Sequence, residues 1–484
     1  MCDSGAVKGL PTNTPRPNTS TVLFRDTTQS ASEVSKSQAK WKKMIRNSHR
    51  VCSLQNCLFL SIPLLLSSLV CEALISSFLG QSVPNCNVAR QYRCTFDASD
   101  SFPRRSMTMK VRIGILGLPN VGKSSLFNAL AQQSIAQAAN FPFCTIDPNI
   151  AQVSIPDPYL ESLGLFAKSA RTVPATIEWV DVAGLAKGAH RGDGLGNRFL
   201  GTLRDCQAIC HVVRAFEDPN VVHVDGKVDQ VKDIEAINLE LLFADMAHVE
   251  RRLGKTNVPP DERRALERIA KGLERGIPAR AVELSIDEKF LIKSMGLLTL
   301  KPMMYAFNVD EVDYVLGRDE MSEKIQHTLE TLDDYESANE CLWTLVSAKL
   351  ESELALLSVE LQVDYLASLG VSTSKSLQQY FSYNSLPTMA QQLLGLSLVY
   401  TGPGVPPERS KTTRAHLFSR LTAQELAGRL HGDIEKGFLR AEVTSASKLL
   451  GVANYAAAKE DGCIRTEGRE YQIQESEVVL IRWK

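Results

Sequence analysis

The residues best suited to chemistry are Gly117-Leu-Pro-Asn120-Val121-Gly122-Lys123-Ser124-Ser125, which fit the spacing G-x-x-x-x-G-K-[ST]. Gly117 and Gly122 let the backbone curl until its N–H groups face one point, and a helix beginning at Ser124 adds partial positive charge there. Both effects favour a triphosphate. Lys123 is then placed to reach the β- and γ-phosphates and the Ser124 hydroxyl to ligate Mg²⁺, with residues 120–125 forming the nucleotide-contacting loop. Such a loop works only between a strand and a helix. The apolar run Val111–Leu116 has the length of a buried strand, and Ser124 through Leu130 reads as helix, so that context is present.

Two later stretches could close on the same phosphates. Ala138–Asp157 carries Pro142, Pro148 and a central Thr145, whose hydroxyl is what a nucleotide switch offers to Mg²⁺ and the γ-phosphate. Ala175–Gly184 reads as a strand with Ile177, Trp179 and Val180 toward the core, ending in Asp181-Val-Ala-Gly184. There Asp181 would hold Mg²⁺ through water and the Gly184 N–H would approach the γ-phosphate. Lys123, Thr145 and Gly184 are thus the expected catalytic groups. Gly188, Gly192, Gly194 and Gly196 predict a second switch. Leu185 follows Gly184, where Ras-type GTPases place the glutamine that orients the attacking water. An aliphatic side chain cannot do this, so backbone groups, a bound cation, His190 or a partner must position the water.

GLPNVGKSS, NFPFCTIDPN and DVAGLAKGAHRGDGLGNRFL together resemble the Obg-like ATPase (YchF) family of translation-factor-class P-loop proteins, which also has a hydrophobic residue in the glutamine position. The resemblance implies that Asn120 holds a K⁺ near the phosphates. It also points to the base reader. The strand from Lys301 ends in Asn308-Val309-Asp310-Glu311, where guanine-specific relatives carry Asn-Lys-x-Asp. In those relatives the aspartate accepts from guanine N1–H and the 2-amino group; here a glutamate shifts the carboxylate by one methylene and strains that contact. In the family, N-x-x-E goes with ATP over GTP. Carried over, Asn308, Val309 and Glu311 contact the base, and Ser347 and Ala348 in the Ser347-Ala-Lys349 loop belong to the stretch that normally backs it with backbone amides and a Lys stem. That loop resembles the GTPase form, which leaves dual use of ATP and GTP open.

These groups need elements to position them. Leu239, Leu242, Met246, Val249 and Leu253 follow 3-4 spacing, Asn257-Val-Pro-Pro260 breaks the helix, and Leu266, Ile269 and Leu273 resume the spacing. An antiparallel helical hairpin over 228–300 is expected, and the resemblance implies a coiled-coil insertion at this point. Residues 395–484 alternate short strands with turns and one helix, Ala423–His431. HGDIEKGFLRAEV and GREYQIQESEVVLIRW there resemble the family's C-terminal TGS domain, a β-grasp module that lies against RNA or the ribosome. Lys436, Arg440, Lys448, Lys459 and Arg465 are its candidate phosphate contacts, with Asp433, Glu435, Glu442 and Glu460 interleaved. The entry to this domain departs from the family pattern, with His416 where tryptophan is usual. The expected fold is α/β: a P-loop NTPase domain of the Obg type (110–227 and 301–371), the helical insertion (228–300) and a TGS β-grasp domain (395–484).

Composition bounds the partners. Of 484 residues, 54 are Lys or Arg and 55 Asp or Glu, a net charge of −1, so nothing global draws the chain to nucleic acid or anionic lipid. No DNA partner is expected; ribosome or rRNA contact must come from local patches. The 11 cysteines include no Cys-x-x-Cys and no Cys/His spacing suited to zinc. Cys206 and Cys210, four apart on an expected helix, read as packing.

Residues 1–109 differ from the rest. Met1–Asn56 is basic and rich in Ser and Thr, with no apolar period, and is expected to be disordered. Cys57–Leu79 is apolar, long enough for a membrane span, while its centre, Leu58–Val70, has the length of a signal-peptide core. Gln81–Met109 is acid-poor and carries four arginines, as a transit peptide does. Together these suggest import into a multiply bounded plastid, with a retained anchor, or a later start at Met107 or Met109 and a cytoplasmic protein, as the alternatives. The functional expectation is a Mg²⁺-dependent ATP hydrolase, K⁺-stimulated and ribosome-linked. A GTP-preferring Obg-group enzyme and a nucleotide-gated ribosome-binding module with negligible turnover stand as alternatives.

Overall fold

Six strands make the sheet that carries the phosphate loop: β1 (Arg112–Leu116), β2 (Ile150–Ser154), β4 (Thr176–Asp181), β5 (Ala208–Arg214), β6 (Met303–Asn308) and β7 (Leu342–Val346). The computed structural model describes residues 110–138, 149–182, 195–223, 226–315, 318–332, 341–357, 359–369, 382–402 and 412–484. These lie within one compact unit, Asn87–Lys484. The extension through residue 109, including the apolar segment 57–79, lies outside the described residues, as do Thr145, Gly184, Leu185 and His190. Among the described residues no helix is long and apolar enough to cross a membrane.

The spatial order is β2-β4-β1-β5-β6-β7. Every pairing is parallel except β2 with β4. Parallel strands are covered on both faces, so they read as continuous apolar runs. That is why β4 does not alternate: Ile177, Glu178, Trp179 and Val180 are all buried. The exception, Glu178, is held between Lys110 (2.8 Å) and Arg112 (2.9 Å). Burial alone would raise its pKa, but these two cations hold it below the ordinary carboxylate value. Helix α1 (Lys123–Ala138) follows the loop directly, and the carboxyl ends of β1, β5 and β6 open onto it.

The insertion consists of α4 (Gln230–Leu253) and α5 (Pro260–Glu274), followed by α6 (Ile286–Ile292); the shorter α2 (Leu160–Phe166) and α3 (Leu195–Asp205) precede them. Asp229 caps α4 through the Lys232 N–H, and proline stands at the first turn of α5, where its missing donor costs nothing. Leu242 and Val249 meet Leu266, Ile269 and Leu273 in a core separate from that of the sheet. The other face of α4, with Ile234, Ile237, Leu241 and Ala244, belongs to the main core. One helix therefore serves two cores. Arg252 clasps Glu262 across the hairpin with two bonds of 2.7 Å.

Helices α7 (Glu311–Val315), α8 (Arg318–Glu330), α9 (Ala348–Leu354), α10 (Val359–Ser368) and α11 (Ser382–Leu393) complete the nucleotide-binding layer. Leu386, Ala390 and Leu394 join the main core, so this layer runs past residue 371 to the start of the last domain. Cys206 and Cys210 do not share a helix: Cys206 follows α3, Cys210 lies in β5, and both are buried thiols.

The C-terminal sheet is ordered β11-β10-β12-β8-β9-β3. Its strands are β8 (Ser397–Thr401), β9 (Thr412–Phe418), β10 (Phe438–Ser445), β11 (Arg465–Glu467) and β12 (Glu477–Trp483), plus β3 (Arg171–Val173). β3 comes from the nucleotide-binding half and pairs in parallel with β9, so the last domain is not self-contained. Helix α12 (Ala423–Leu430) covers one face through Leu426 and Ala427. Leu160 and Leu163 of α2 cover the other. Tyr400 donates to Asp157 (2.8 Å) and Ser169 bonds Thr413 (2.7 Å) across the same junction. His416 sits in β9 and bonds the Thr401 hydroxyl at 2.8 Å. Burial, then Arg414 and Arg429, push its pKa down to about 4, so it packs as a neutral ring.

Candidate nucleotide site

The loop after β1 depends on backbone that side chains rarely permit. Gly117 has φ 157° and Gly122 φ 93°. A Cβ on Gly117 would lie 2.4 Å from the Val212 carbonyl oxygen. Between them Asn120 also adopts positive φ, 62°, which asparagine tolerates better than most residues. Its side-chain amide donates to Val222 O at 3.2 Å. The segment leading to that carbonyl is tied down by Arg214, a buried residue at the end of β5 that donates to the carbonyls of Phe216, Asp218 and Val221.

Lys123 is 6% exposed, and its ammonium donates to Leu118 O at 2.6 Å, inside the curl of the loop. Burial pushes its pKa down to about 8, against a smaller raising effect from Asp181. Ser124 lies exposed at the start of α1 and donates to Asp181 Oδ2 at 3.1 Å. The other carboxylate oxygen of Asp181, Oδ1, is buried and has no hydrogen-bond partner among the described residues. Hard oxygens, one of them an unpaired carboxylate oxygen, suit Mg²⁺ rather than a softer ion. Beneath the loop, His211 is fully buried; desolvation, then the charge of Lys123, push its pKa down to about 3. It is therefore a neutral ring backing a buried cation.

Asn308, at the end of β6, joins the base side to the phosphate side. Its amide donates to Val121 O, and its carbonyl oxygen accepts from the Ala348 N–H, both at 2.9 Å. Ser352 adds a second tie, its hydroxyl lying 3.2 Å from Ser125 O. Val309, Ser347 and Ala348 are 2%, 0% and 1% exposed. Their side chains are enclosed around Asn308, which leaves their backbone as the part that could meet a base. The Ser347 hydroxyl is buried with no hydrogen-bond partner among the described residues. Glu311 begins α7 and pairs with Lys349 at 2.8 Å.

The structure thus brings Asn120, Val121, Gly122, Lys123, Ser124, Ser125, Asp181, Asn308, Glu311, Ser347 and Ala348 into one region, while Thr145 and Gly184 lie outside the described residues. Sequence reasoning missed Arg214, His211 and Glu351. The only signal for the first two was a polar residue inside the apolar run Ala208–Phe216. Glu351, on α9 three residues beyond Ala348, is buried and accepts from the backbone N–H and the hydroxyl of Ser382. Of the five basic residues expected to meet phosphate, Arg440 pairs with Glu442 and Arg465 with Glu477. Lys436, Lys448 and Lys459 are exposed.

Comparison with known proteins agrees with this geometry. Residues 112–245 match a family model described as a 50S ribosome-binding GTPase. Residues 409–484 match the YchF-type GTPase C-terminal model, described as a protein of unknown function (DUF933). The chain is 40% identical over 386 residues to the ribosome-binding ATPase YchF of Bacillus subtilis, covering 78% of this chain and 100% of that protein. It is 38% identical over 379 residues to the protein of the same name from Escherichia coli O157:H7, covering 77% and 98%. The solved structure of the Schizosaccharomyces pombe YchF GTPase superposes with a TM-score of 0.65 at 29% identity, covering 78% of this chain and 99% of that one. With a relative matched along its whole length and the phosphate loop, Asp181 and Asn308 converging as described, the chain belongs to the YchF family of P-loop nucleotide hydrolases.

Proposed function

We propose that this chain is a Mg²⁺-dependent nucleoside triphosphatase that uses ATP and works on the ribosome. The observation that carries the reading is the Lys123–Ser124–Asp181 group, in which a buried ammonium stands beside a serine hydroxyl and a carboxylate oxygen that has no partner among the described residues. Lys123 would bind the β- and γ-phosphates, and the backbone of residues 120–125 would orient them for in-line attack by water. Ser124, Thr145 and Asp181 would hold Mg²⁺, which supplies charge neutralisation on the phosphates. The Gly184 N–H would meet the γ-phosphate. Lacking a glutamine after Gly184, the intrinsic rate is slow and the water is positioned by backbone, cation or partner. K⁺ near Asn120 is part of this proposal, and equal turnover in NaCl and KCl would remove it.

The names of the relatives, both ribosome-binding ATPases, support the ribosome as partner. The helical hairpin and the C-terminal sheet, taken as a TGS-type module, would make that contact, with Lys436, Lys448 and Lys459 as the exposed cations. We extend the proposal to delivery: residues 1–109 direct the protein to a plastid, on the strength of the apolar segment and the acid-poor stretch after it. Fusing those residues to a fluorescent reporter tests this, and a cytoplasmic signal overturns it.

The deciding experiment is ATP turnover by the full chain with and without EDTA, beside Lys123→Ala, together with co-sedimentation on ribosomes. Turnover that depends on both Mg²⁺ and Lys123 supports the reading. Leu185 favours one alternative, a nucleotide-gated binding module. Nucleotide-dependent ribosome binding without turnover would establish that instead.

A further inference from the structure

Glu311 and Lys349 lie at the starts of two helices that meet at Asn308: Glu311 opens α7 three residues after it, and Lys349 follows Ala348 in the first turn of α9, whose Ala348 N–H donates to Asn308. Their side chains form an ion pair, Nζ to Oε1, at 2.8 Å. The carboxylate side is 20% exposed and the ammonium side 76%. The Tyr365 hydroxyl lies 3.5 Å from the other oxygen, Oε2, at the limit of a hydrogen bond. With its ammonium this exposed, the pair adds little to stability, so its placement beside the base site calls for another role.

We propose that Lys349 is a specificity-determining residue, which sets purine choice by engaging Glu311. This deepens the nucleotide-hydrolase reading and rests on it. A free carboxylate at this position accepts from guanine N1–H and the 2-amino group and opposes the lone pair on adenine N1. Once one of its oxygens is taken by an ammonium, the carboxylate is no longer a two-point acceptor. The pair instead adds an ammonium donor, which complements the lone pair on adenine N1 and opposes guanine N1–H. The methylene that glutamate adds over aspartate gives the carboxylate the reach to meet Lys349. On this account Lys349, in a stretch of GTPase-like sequence at the start of α9, works against guanine.

The test is equilibrium binding of ATP and GTP to the full chain, with wild type, Lys349→Met, Glu311→Ala and the double variant measured by calorimetry in Mg²⁺. Thermal melts confirm that each variant is folded. Lys349→Met should move the ATP-to-GTP affinity ratio toward GTP by about tenfold or more. In the Glu311→Ala background the same change should have no effect, because no carboxylate is left to release. A ratio within about twofold of wild type in folded Lys349→Met, or the same shift with and without Glu311, overturns the proposal. If wild type binds neither nucleotide, the hydrolase reading itself falls, and this inference with it.

Discussion

Gly122 and Asn308 approach so closely that a Cβ on the glycine would lie 2.2 Å from Asn308 Nδ2. The phosphate loop and the base motif, nearly two hundred residues apart in the chain, therefore share one packing contact. Two changes test it. Gly122→Ala has neither room for its methyl nor a comfortable φ, and should abolish nucleotide binding. Asn308→Ala strips the Val121 carbonyl and the Ala348 N–H of their partner in a buried place, at a cost of about 2 kcal/mol. Urea titration and nucleotide binding should fall together; loss of binding without loss of stability would show that Asn308 acts only on the base.

Lys123 trades stability for function. Its folded pKa, about 8, lies below its ordinary 10.5 because the ammonium is buried. Below pH 8 the lysine is charged in both states, so the full cost of burial is present; between pH 8 and 10.5 the folded state gives up its proton first and stability rises. Lys123→Met should stabilise the protein at pH 7, by about 1–3 kcal/mol, with the gain shrinking toward pH 10. The variant should also lose nucleotide binding. A melt at pH 7 and another at pH 9.5 check the sign, and a destabilised variant at pH 7 would refute it. Because phosphate restores the charge of Lys123, affinity for ATP should decline as pH rises through 8.

Glu351 has the opposite dependence. Burial, opposed by its bonds from Ser382, pushes its pKa up to about 7. The unfolded chain ionises near 4.5, so stability falls as pH climbs from 4.5 to 7 and is flat beyond. Glu351→Gln should remove most of that slope and be the more stable protein at pH 8, by about 1 kcal/mol. Melting curves from pH 4.5 to 8 measure it. Parallel slopes in the two proteins would mean that Glu351 stays ionised in the fold.

Asp245, fully buried on α4, accepts from the Leu298 N–H (3.0 Å), the Thr299 N–H (2.7 Å) and the Thr299 hydroxyl (2.8 Å). Arg204 donates to it as well, at 3.3 Å. These bonds fasten the end of the helical insertion where the chain returns to β6. Asp245→Ala leaves several buried donors without an acceptor and should cost about 3 kcal/mol or more. Hydrogen exchange should quicken around residues 296–300 before it does in β1. Uniform protection in the variant would argue that the insertion is held by its apolar core alone.

The sequence by itself was enough for the parts that local chemistry dictates. The phosphate loop, its flanking strand and helix, and the 3-4 spacing of the hairpin all follow from neighbouring residues: glycine's freedom at positive φ, apolar runs and helical periodicity. That Asn308 belongs with the phosphate loop in the candidate site was legible because its motif is short and ordered. Its main work was not. That it bridges Val121 and Ala348, that Val309 and Ser347 are enclosed, and that Asn120 meets the Val222 carbonyl depend on contacts between segments far apart in sequence. So does the borrowing of Arg171–Val173 by the last sheet: three residues have no period of their own, and only the open edge of β9 makes them a strand. Burial decides the charges too. Lysine, histidine and glutamate look alike on paper wherever they fall, but Lys123, His211 and Glu351 were moved from their ordinary pKa values by desolvation, which exists only once the chain has closed around them.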